Sequence, residues 1–227
     1  MRCIPIIYVG VKLVKAVCIL FYEMNSDMRV LLTGFEFYWD YTINSSWAVA
    51  CEVEKLCISD VEVIVKKMPV RFAVVADALK KAVKECQPDF ILMLGQSGGS
   101  DRIKLERVAL NMMDARLADN DGIIPDNQPI DKEGEAAFFT NVPIKDILSA
   151  LNNEGIMSKI SNSCGLYVCN RLYYEALKIT KEFPNIVSLF VHLPFYEGQP
   201  TAKIGKPTMP ITDMIKAIST IINVIHG

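Results

Sequence analysis

Phe90-Ile91-Leu92-Met93-Leu94 is an unbroken apolar run that follows Pro88 and is ended by Gly95. So short and uniformly apolar a segment fits a strand covered on both faces, the pattern of central strands in parallel sheets. Such a strand demands helices above and below it, and the flanking sequence supplies them. Arg29 to Thr33 is a β-type run ending at Gly34, and Val61 to Met68 alternates valine and isoleucine with polar residues before Pro69. Between them Ser46 to Leu56 reads as a helix. After Pro69, the residues Phe72, Val75, Ala76, Leu79, Ala82 and Val83 recur at helical spacing as far as Pro88.

The rhythm continues downstream. Ile103 to Met112 alternates enough for one longer strand, and residues 114–142, rich in Asp, Asn, Gly and Pro, form a long excursion of the kind that often carries function. Pro143 opens a helix with Ile144, Ile147, Leu148 and Leu151 on one face and Gly155 beyond its end. A strand near Met157 to Ser161, a helix from Leu166 to Lys178 and a strand from Ile186 to Leu193 follow. Pro210 then starts a final helix with Ile211, Met214, Ile215, Ile218, Ile221, Ile222 and Ile225 inward. This alternation predicts an α/β fold: a single-domain α/β/α sandwich with a mostly parallel, mixed central sheet. A chain of 227 residues and 25.4 kDa suits one such domain.

Composition narrows the partners. With 24 Lys plus Arg against 26 Asp plus Glu, the net charge of −2 gives no basic excess to hold a phosphate backbone, so no nucleic acid is expected. Seven cysteines at irregular spacing read as thiols of a reducing, cytoplasmic setting rather than a disulfide framework. Only two histidines exist, Cys164 and Cys169 are too far apart for a zinc knuckle, and no metal site is expected. Ile4 to Val11 and Leu13 to Tyr22 are apolar but divided by Lys12, and Lys15 interrupts the second, so no membrane span is expected. Residues 1–27 are therefore read as an apolar N-terminal extension outside the natural domain, which opens at Met28 and runs over 28–227.

A chemical site is suggested by Ser161-Asn162-Ser163-Cys164-Gly165-Leu166-Tyr167-Val168-Cys169-Asn170, followed by the one mid-chain histidine, His192. Gly165 breaks regular structure and sets Cys169 near a helix start, where the macrodipole favours thiolate over thiol. His192 is the available base. Each alone is more often a core residue, since free cysteine behaves as a small hydrophobe. The pair gains meaning from a third, orienting group. Glu106, within the apolar Leu105-x-x-Val108-Ala109-Leu110 segment, would be costly there unless it faces solvent or is paired with Arg107, Arg116 or an imidazole. If it meets His192, it fixes the ring's tautomer and stabilises imidazolium. Gly95-Gln96-Ser97-Gly98-Gly99-Ser100 lacks both the P-loop lysine and the dinucleotide fingerprint. It is either a flexible turn or a place where backbone amides approach a small polar ligand, with Gln96 adding a donor and an acceptor.

From Met28 onward the chain resembles pyroglutamyl peptidase I, a family of cysteine peptidases. The carriers are Leu32-Thr33-Gly34-Phe35, Gly95-Gln96-Ser97-Gly98-Gly99, Glu106-Arg107-Val108-Ala109-Leu110-Asn111, Asp114-Ala115-Arg116, the Ser161 to Asn170 run and Val191-His192-Leu193-Pro194. Their order and spacing together are specific. The resemblance implies a phosphorylase/hydrolase-like sandwich, a Glu106, Cys169 and His192 triad, and removal of N-terminal pyroglutamate from peptides through a thioacyl-enzyme, with no cofactor. It further implies that Phe35 and Tyr38 wall the ring pocket, that Gln96 and Asn44 line or support its entrance, that Arg116 assists the oxyanion, and that the protein assembles as a homodimer or homotetramer.

The sequence also departs from that pattern. Where the family usually reads Gly-Phe-x-Pro-Phe-Gly-Gly, this chain has Gly34-Phe35-Glu36-Phe37-Tyr38-Trp39-Asp40; Asn44-Ser45-Ser46-Trp47 replaces Asn-Pro-Ser-Trp, and Ser100 stands where an arginine is usual. Two other readings therefore accompany the first: a divergent homologue of altered substrate specificity, and a non-catalytic peptide-binding or oligomeric module.

Overall fold

Eight-residue strand β1 (Met28–Phe35) is buried at every position but Arg29, because its neighbours on both sides are strands and both its faces are covered by helices. The computed structural model describes residues 28–38, 42–200 and 205–227; the expected N-terminal extension lies outside them. After β1 the chain runs through α1 (Ser45–Val53), β2 (Val61–Met68), α2 (Val75–Cys86), β3 (Phe90–Gln96), β4 (Ile103–Glu106), β5 (Val108–Leu110) and β6 (Ala137–Phe139). It continues with α3 (Ile144–Asn153), β7 (Ser158–Ser161), α4 (Val168–Glu182), β8 (Val187–Leu193), β9 (Phe195–Tyr196), β10 (Thr208–Met209) and α5 (Ile211–His226).

Six strands form the main sheet in the order β2-β1-β3-β8-β4-β7. All neighbours are parallel except β4 and β8, which run antiparallel. The expected mostly parallel, mixed sheet is thus found. Two apolar clusters cover it. One joins Leu92, Leu94, Val191 and Leu105 to α1, α3 and α5; the other joins Ile91, Met93 and Phe190 to α2 and α4. Ile218, Ile221 and Ile222 of α5 are fully buried, as their helical spacing required. No helix of the described residues is long and apolar enough to cross a membrane.

Three readings are corrected. Ile103 to Met112 is not one strand: β4 ends at Glu106, and the chain then leaves the main sheet so that β5 pairs with β6 in a separate antiparallel ribbon. The apolar pattern continues across Arg107 because Leu105 before it and Val108 and Ala109 after it are all buried, and periodicity does not register a change of partner. Gly95 does not end β3, since it pairs with His192 inside the ladder and the strand runs on to Gln96. The helix expected from Leu166 begins at Val168, after Tyr167 in an extended conformation at its N-cap, and extends to Glu182.

Strand order reverses between β1 and β3: the chain leaves β1 toward β2 on one side and leaves β3 toward β4 on the other. Crevices at such switch points open beyond the carboxyl ends of the strands. Those ends bring Phe35, Gln96 and His192 toward one edge of the sheet. Because Ile218 is buried under the sheet, Ile218→Ala should destabilise the protein by about 2–5 kcal/mol, read as a lower urea midpoint at unchanged slope.

Candidate functional site

The antiparallel register of β4 on β8 sets Lys104 opposite His192 and Glu106 opposite Phe190. Opposed residues share a face, so Glu106 and His192 are diagonal neighbours, within reach of long side chains. Glu106 Oε1 lies 2.8 Å from His192 Nδ1, with Glu106 fully buried and His192 8% exposed. A carboxylate only accepts, so Nδ1 carries the hydrogen and Nε2 is left as the acceptor. Of the partners open to Glu106, the structure selects the imidazole. Glu106 Oε2 is buried with no hydrogen bond among the described residues, which concentrates the carboxylate's interaction on the ring.

Neighbours hold this pair from three sides. The Tyr173 hydroxyl of α4 donates to the Glu106 carbonyl at 2.8 Å, and burial pushes that phenol far above its ordinary range, so it stays a donor. The Phe190 ring centroid is 4.8 Å from that of His192 and 5.7 Å from that of Tyr173. Across the ladder, a Cβ on Gly95 would lie 2.7 Å from Phe190 Cζ and 2.9 Å from His192 Cδ2. Only glycine lets both rings lie over β3 at this point.

Cys169 is the second residue of α4 and is partly buried. Burial pushes its thiol up to about 12, with the negative charge of Glu106 adding to the rise. A helix N-terminus favours a thiolate, as expected, but here it is outweighed by burial. Asn170, the next residue and fully buried, accepts from Leu110 N–H at 2.9 Å and donates to the Leu110 and Met112 carbonyls at 2.8 and 2.9 Å. It ties the start of α4 to the chain leaving β5.

Cys169 and His192 line one cavity of ≈330 Å³ together with Phe35, Tyr38, Asn44, Gln96 and Arg116. Val70, Leu117, Leu166 and Tyr167 add apolar wall. Glu106 does not line it; it stands behind His192, as an orienting group must. Asn44 spends its polar atoms on the scaffold: Oδ1 caps α1 through Ser46 N–H at 3.1 Å, and Nδ2 donates to the Glu36 carbonyl at 3.0 Å. It supports the entrance. Phe35 is buried, with its N–H bonded to Ser46 Oγ at 3.0 Å, and Tyr38 Oη lies 3.4 Å from Gln96 Nε2.

The excursion at 114–142 contributes Asp114, Ala115, Arg116 and Leu117 to the cavity. It is tethered by Asp119, whose carboxylate accepts from Phe72, Asp121 and Ile123 N–H groups. Sequence reasoning missed Asp119, although the Asp119-Asn120-Asp121-Gly122 cluster is a turn signal. It also missed Cys164 as a buried cavity wall, Tyr173 as the brace on Glu106, and Gln199. Tyr173 and Gln199 carried no such signal, because the bonds that tie them to Glu106 and Gln96 join residues distant in sequence.

An acceptor imidazole nitrogen, a thiol and a small, partly apolar cavity together suit nucleophilic attack on a neutral carbonyl. Comparison with known proteins agrees. The family described as pyroglutamyl peptidase matches residues 28–227. Pyrrolidone-carboxylate peptidase 1 of Caldanaerobacter subterraneus subsp. tengcongensis is 40% identical over 199 residues, covering 87% of this chain and 98% of that one. The Yersinia pestis pyrrolidone-carboxylate peptidase is 37% identical, covering 86% and 92%. Among solved structures, the pyroglutamyl peptidase I of Bacillus amyloliquefaciens superposes with a TM-score of 0.83 at 32% identity, covering 87% of this chain and 94% of that one. A mutant pyrrolidone carboxyl peptidase from Pyrococcus furiosus gives 0.82 at 34%, covering 87% and 97%.

Two measurements test the site. Iodoacetamide alkylation of Cys169, followed by peptide mapping, should keep accelerating above the usual thiol value of about 8.5, and Glu106→Gln should move the curve to lower pH by removing a charge that opposes the thiolate. A wild-type plateau below about pH 8.5 contradicts this. Gly95→Ala should cost about 1–3 kcal/mol in chemical denaturation through overpacking against Phe190 and His192.

Proposed function

The chain belongs to the pyroglutamyl peptidase family, and from that premise we propose that it removes an N-terminal pyroglutamyl residue from peptides, using Cys169 as nucleophile, His192 as base and acid, and Glu106 as the group that orients His192. It is a cysteine-type peptidase. The single observation that most supports the residue assignment is the 2.8 Å contact between buried Glu106 and His192 Nδ1, with His192 and Cys169 on one cavity.

The chemistry follows from the protonation states. At neutral pH the Cys169 thiol keeps its proton, since burial holds it up to about 12. His192 Nε2 takes that proton as Sγ attacks the carbonyl carbon of the pyroglutamyl residue. The imidazolium so formed is stabilised by the Glu106 carboxylate. His192 then gives the proton to the leaving amine, the C–N bond breaks, and a thioester to Cys169 remains. Water, deprotonated by His192, attacks the thioester and releases pyroglutamate and the free thiol. Backbone N–H groups at the start of α4 face the developing oxyanion, with Arg116 at the cavity wall as a second stabiliser.

Selection of the ring rests on the cavity's lining. Phe35 and Tyr38 supply aromatic surface, Val70 and Leu117 aliphatic surface, and Gln96 a polar contact. A neutral lactam meets these groups without leaving a charge unpaired, whereas a free α-amino group would carry a charge into an apolar wall. The activity test is release of a fluorophore from a pyroglutamyl amide by the full chain under reducing conditions. Cys169→Ser should abolish it, and Glu106→Gln should lower kcat by about 10²–10⁴-fold through loss of effective general acid-base catalysis. A folded wild-type protein that leaves pyroglutamyl amides intact would sink the assignment.

A further inference from the structure

We infer that Gln199 is a positioning residue for ring recognition: it holds the Gln96 side chain so that the amide nitrogen, not the oxygen, faces the cavity and donates to the lactam carbonyl of the pyroglutamyl ring. The inference rests on the pyroglutamyl reading above and adds to it the polarity of the pocket and the residue that sets it.

A glutamine amide can in general be turned either way. Here two backbone donors remove that freedom. Ser45 N–H lies 2.9 Å from Gln96 Oε1, and a backbone N–H bonds only to an acceptor, so the atom facing Ser45 is oxygen. Tyr196 N–H lies 3.2 Å from Gln199 Oε1, which fixes the second amide by the same logic. The Gln199 nitrogen then points at Gln96 Oε1, 2.9 Å away, and also reaches the Ile43 carbonyl at 3.4 Å. Gln199 is 4% exposed and Gln96 8%, so these contacts form away from competing water.

The consequence concerns charge at the cavity wall. Both acceptor directions of the Gln96 oxygen are taken, by Ser45 and Gln199. The Gln96 nitrogen lies 3.4 Å from Tyr38 Oη, and Gln96 and Tyr38 both line the cavity. A bound ring therefore meets a donor and must bring an acceptor. The pyroglutamyl ring has one, its lactam oxygen. Ser45 alone would hold one direction of the Gln96 oxygen; Gln199 holds the other and resists rotation of the amide.

The test uses the full chain and measures KM and kcat for a pyroglutamyl amide beside inhibition by 2-pyrrolidone and by pyrrolidine-2-thione, the same ring with a poorer acceptor. In Gln199→Met, KM and the 2-pyrrolidone inhibition constant should rise about 5- to 10-fold, the loss of one neutral hydrogen bond, with the effect falling on KM more than on kcat. The preference for the lactam over the thiolactam should shrink by a similar factor. Gln96→Met should do the same, and the double variant should lose no more than either alone.

A Gln199→Met protein that loses activity while keeping the wild-type lactam preference would overturn the inference, as a merely structural role predicts that result. If Gln199→Met does not fold, the isosteric Gln199→Glu, which turns an acceptor toward Gln96 Oε1, is read for the same ratio; an unchanged ratio again overturns the inference. The two levels separate cleanly. A wild-type protein that neither cleaves the pyroglutamyl amide nor binds 2-pyrrolidone defeats the functional reading and this inference with it, whereas wild-type turnover with unaltered variants defeats this inference alone.

Discussion

The antiparallel pairing of β4 with β8 is the constraint on which the site depends. It is the one reversal in an otherwise parallel sheet, and it brings a glutamate from one strand diagonally across to a histidine on another. A fully buried carboxylate is costly unless a partner compensates it. The Glu106 carboxylate has such a partner in His192, and Tyr173 braces the Glu106 main chain through its carbonyl, so removing either member of the pair leaves the other stranded in the core. The surrounding residues follow from this pair: Gly95 leaves the space over β3 that the Phe190 and His192 rings fill, and Phe190 packs between His192 and Tyr173.

Cys169 sits under two opposing influences. The start of a 15-residue helix favours the anion, while desolvation and the nearby Glu106 favour the neutral thiol. Desolvation is the larger. The same carboxylate that opposes charge on the sulfur accepts the hydrogen bond from His192 Nδ1. In the mechanism proposed above, the proton stays on sulfur at rest and its transfer to His192 coincides with attack. On that proposal the nucleophile is released when a carbonyl is present to receive it.

Much of this was legible in the chain. Phe90 to Leu94 announced a central strand, the isoleucine spacing after Pro210 announced α5, and a glutamate within an apolar segment left two readings, a solvent-facing side chain or a buried partner. What periodicity could not give was the partner's identity: Arg107, Arg116 and His192 were equally open until β4 was seen against β8. The break at Arg107 was hidden for a related reason, since β4 and β5 both carry buried apolar residues although they belong to different sheets. Gly95 misled because glycine at a strand end and glycine beneath a ring look identical in sequence. Tyr173 and Gln199 were invisible, as their contacts join residues 67 and 103 positions apart.

The segment after Phe35 lacks the proline and paired glycines usual in the family it resembles, yet Phe35 and Tyr38 both reach the cavity. Hydrogen bonds accepted by the side chain and carbonyl of Glu36 explain how. Its Oε1 accepts from Val70 N–H at 3.0 Å, Arg71 Nη1 at 2.7 Å and Asn120 Nδ2 at 3.0 Å, and its carbonyl accepts from Asn44 Nδ2 at 3.0 Å. Arg71 in turn reaches Asp121 at 2.9 Å. One carboxylate therefore joins the aromatic wall, the β2–α2 connection and the excursion that bears Arg116. A proline limits the conformations open to the unfolded chain, whereas this cluster acts only once three distant segments have met. The wall's geometry is in that way made a property of the assembled fold, and its integrity depends on the charge at Glu36 rather than on a stiff turn.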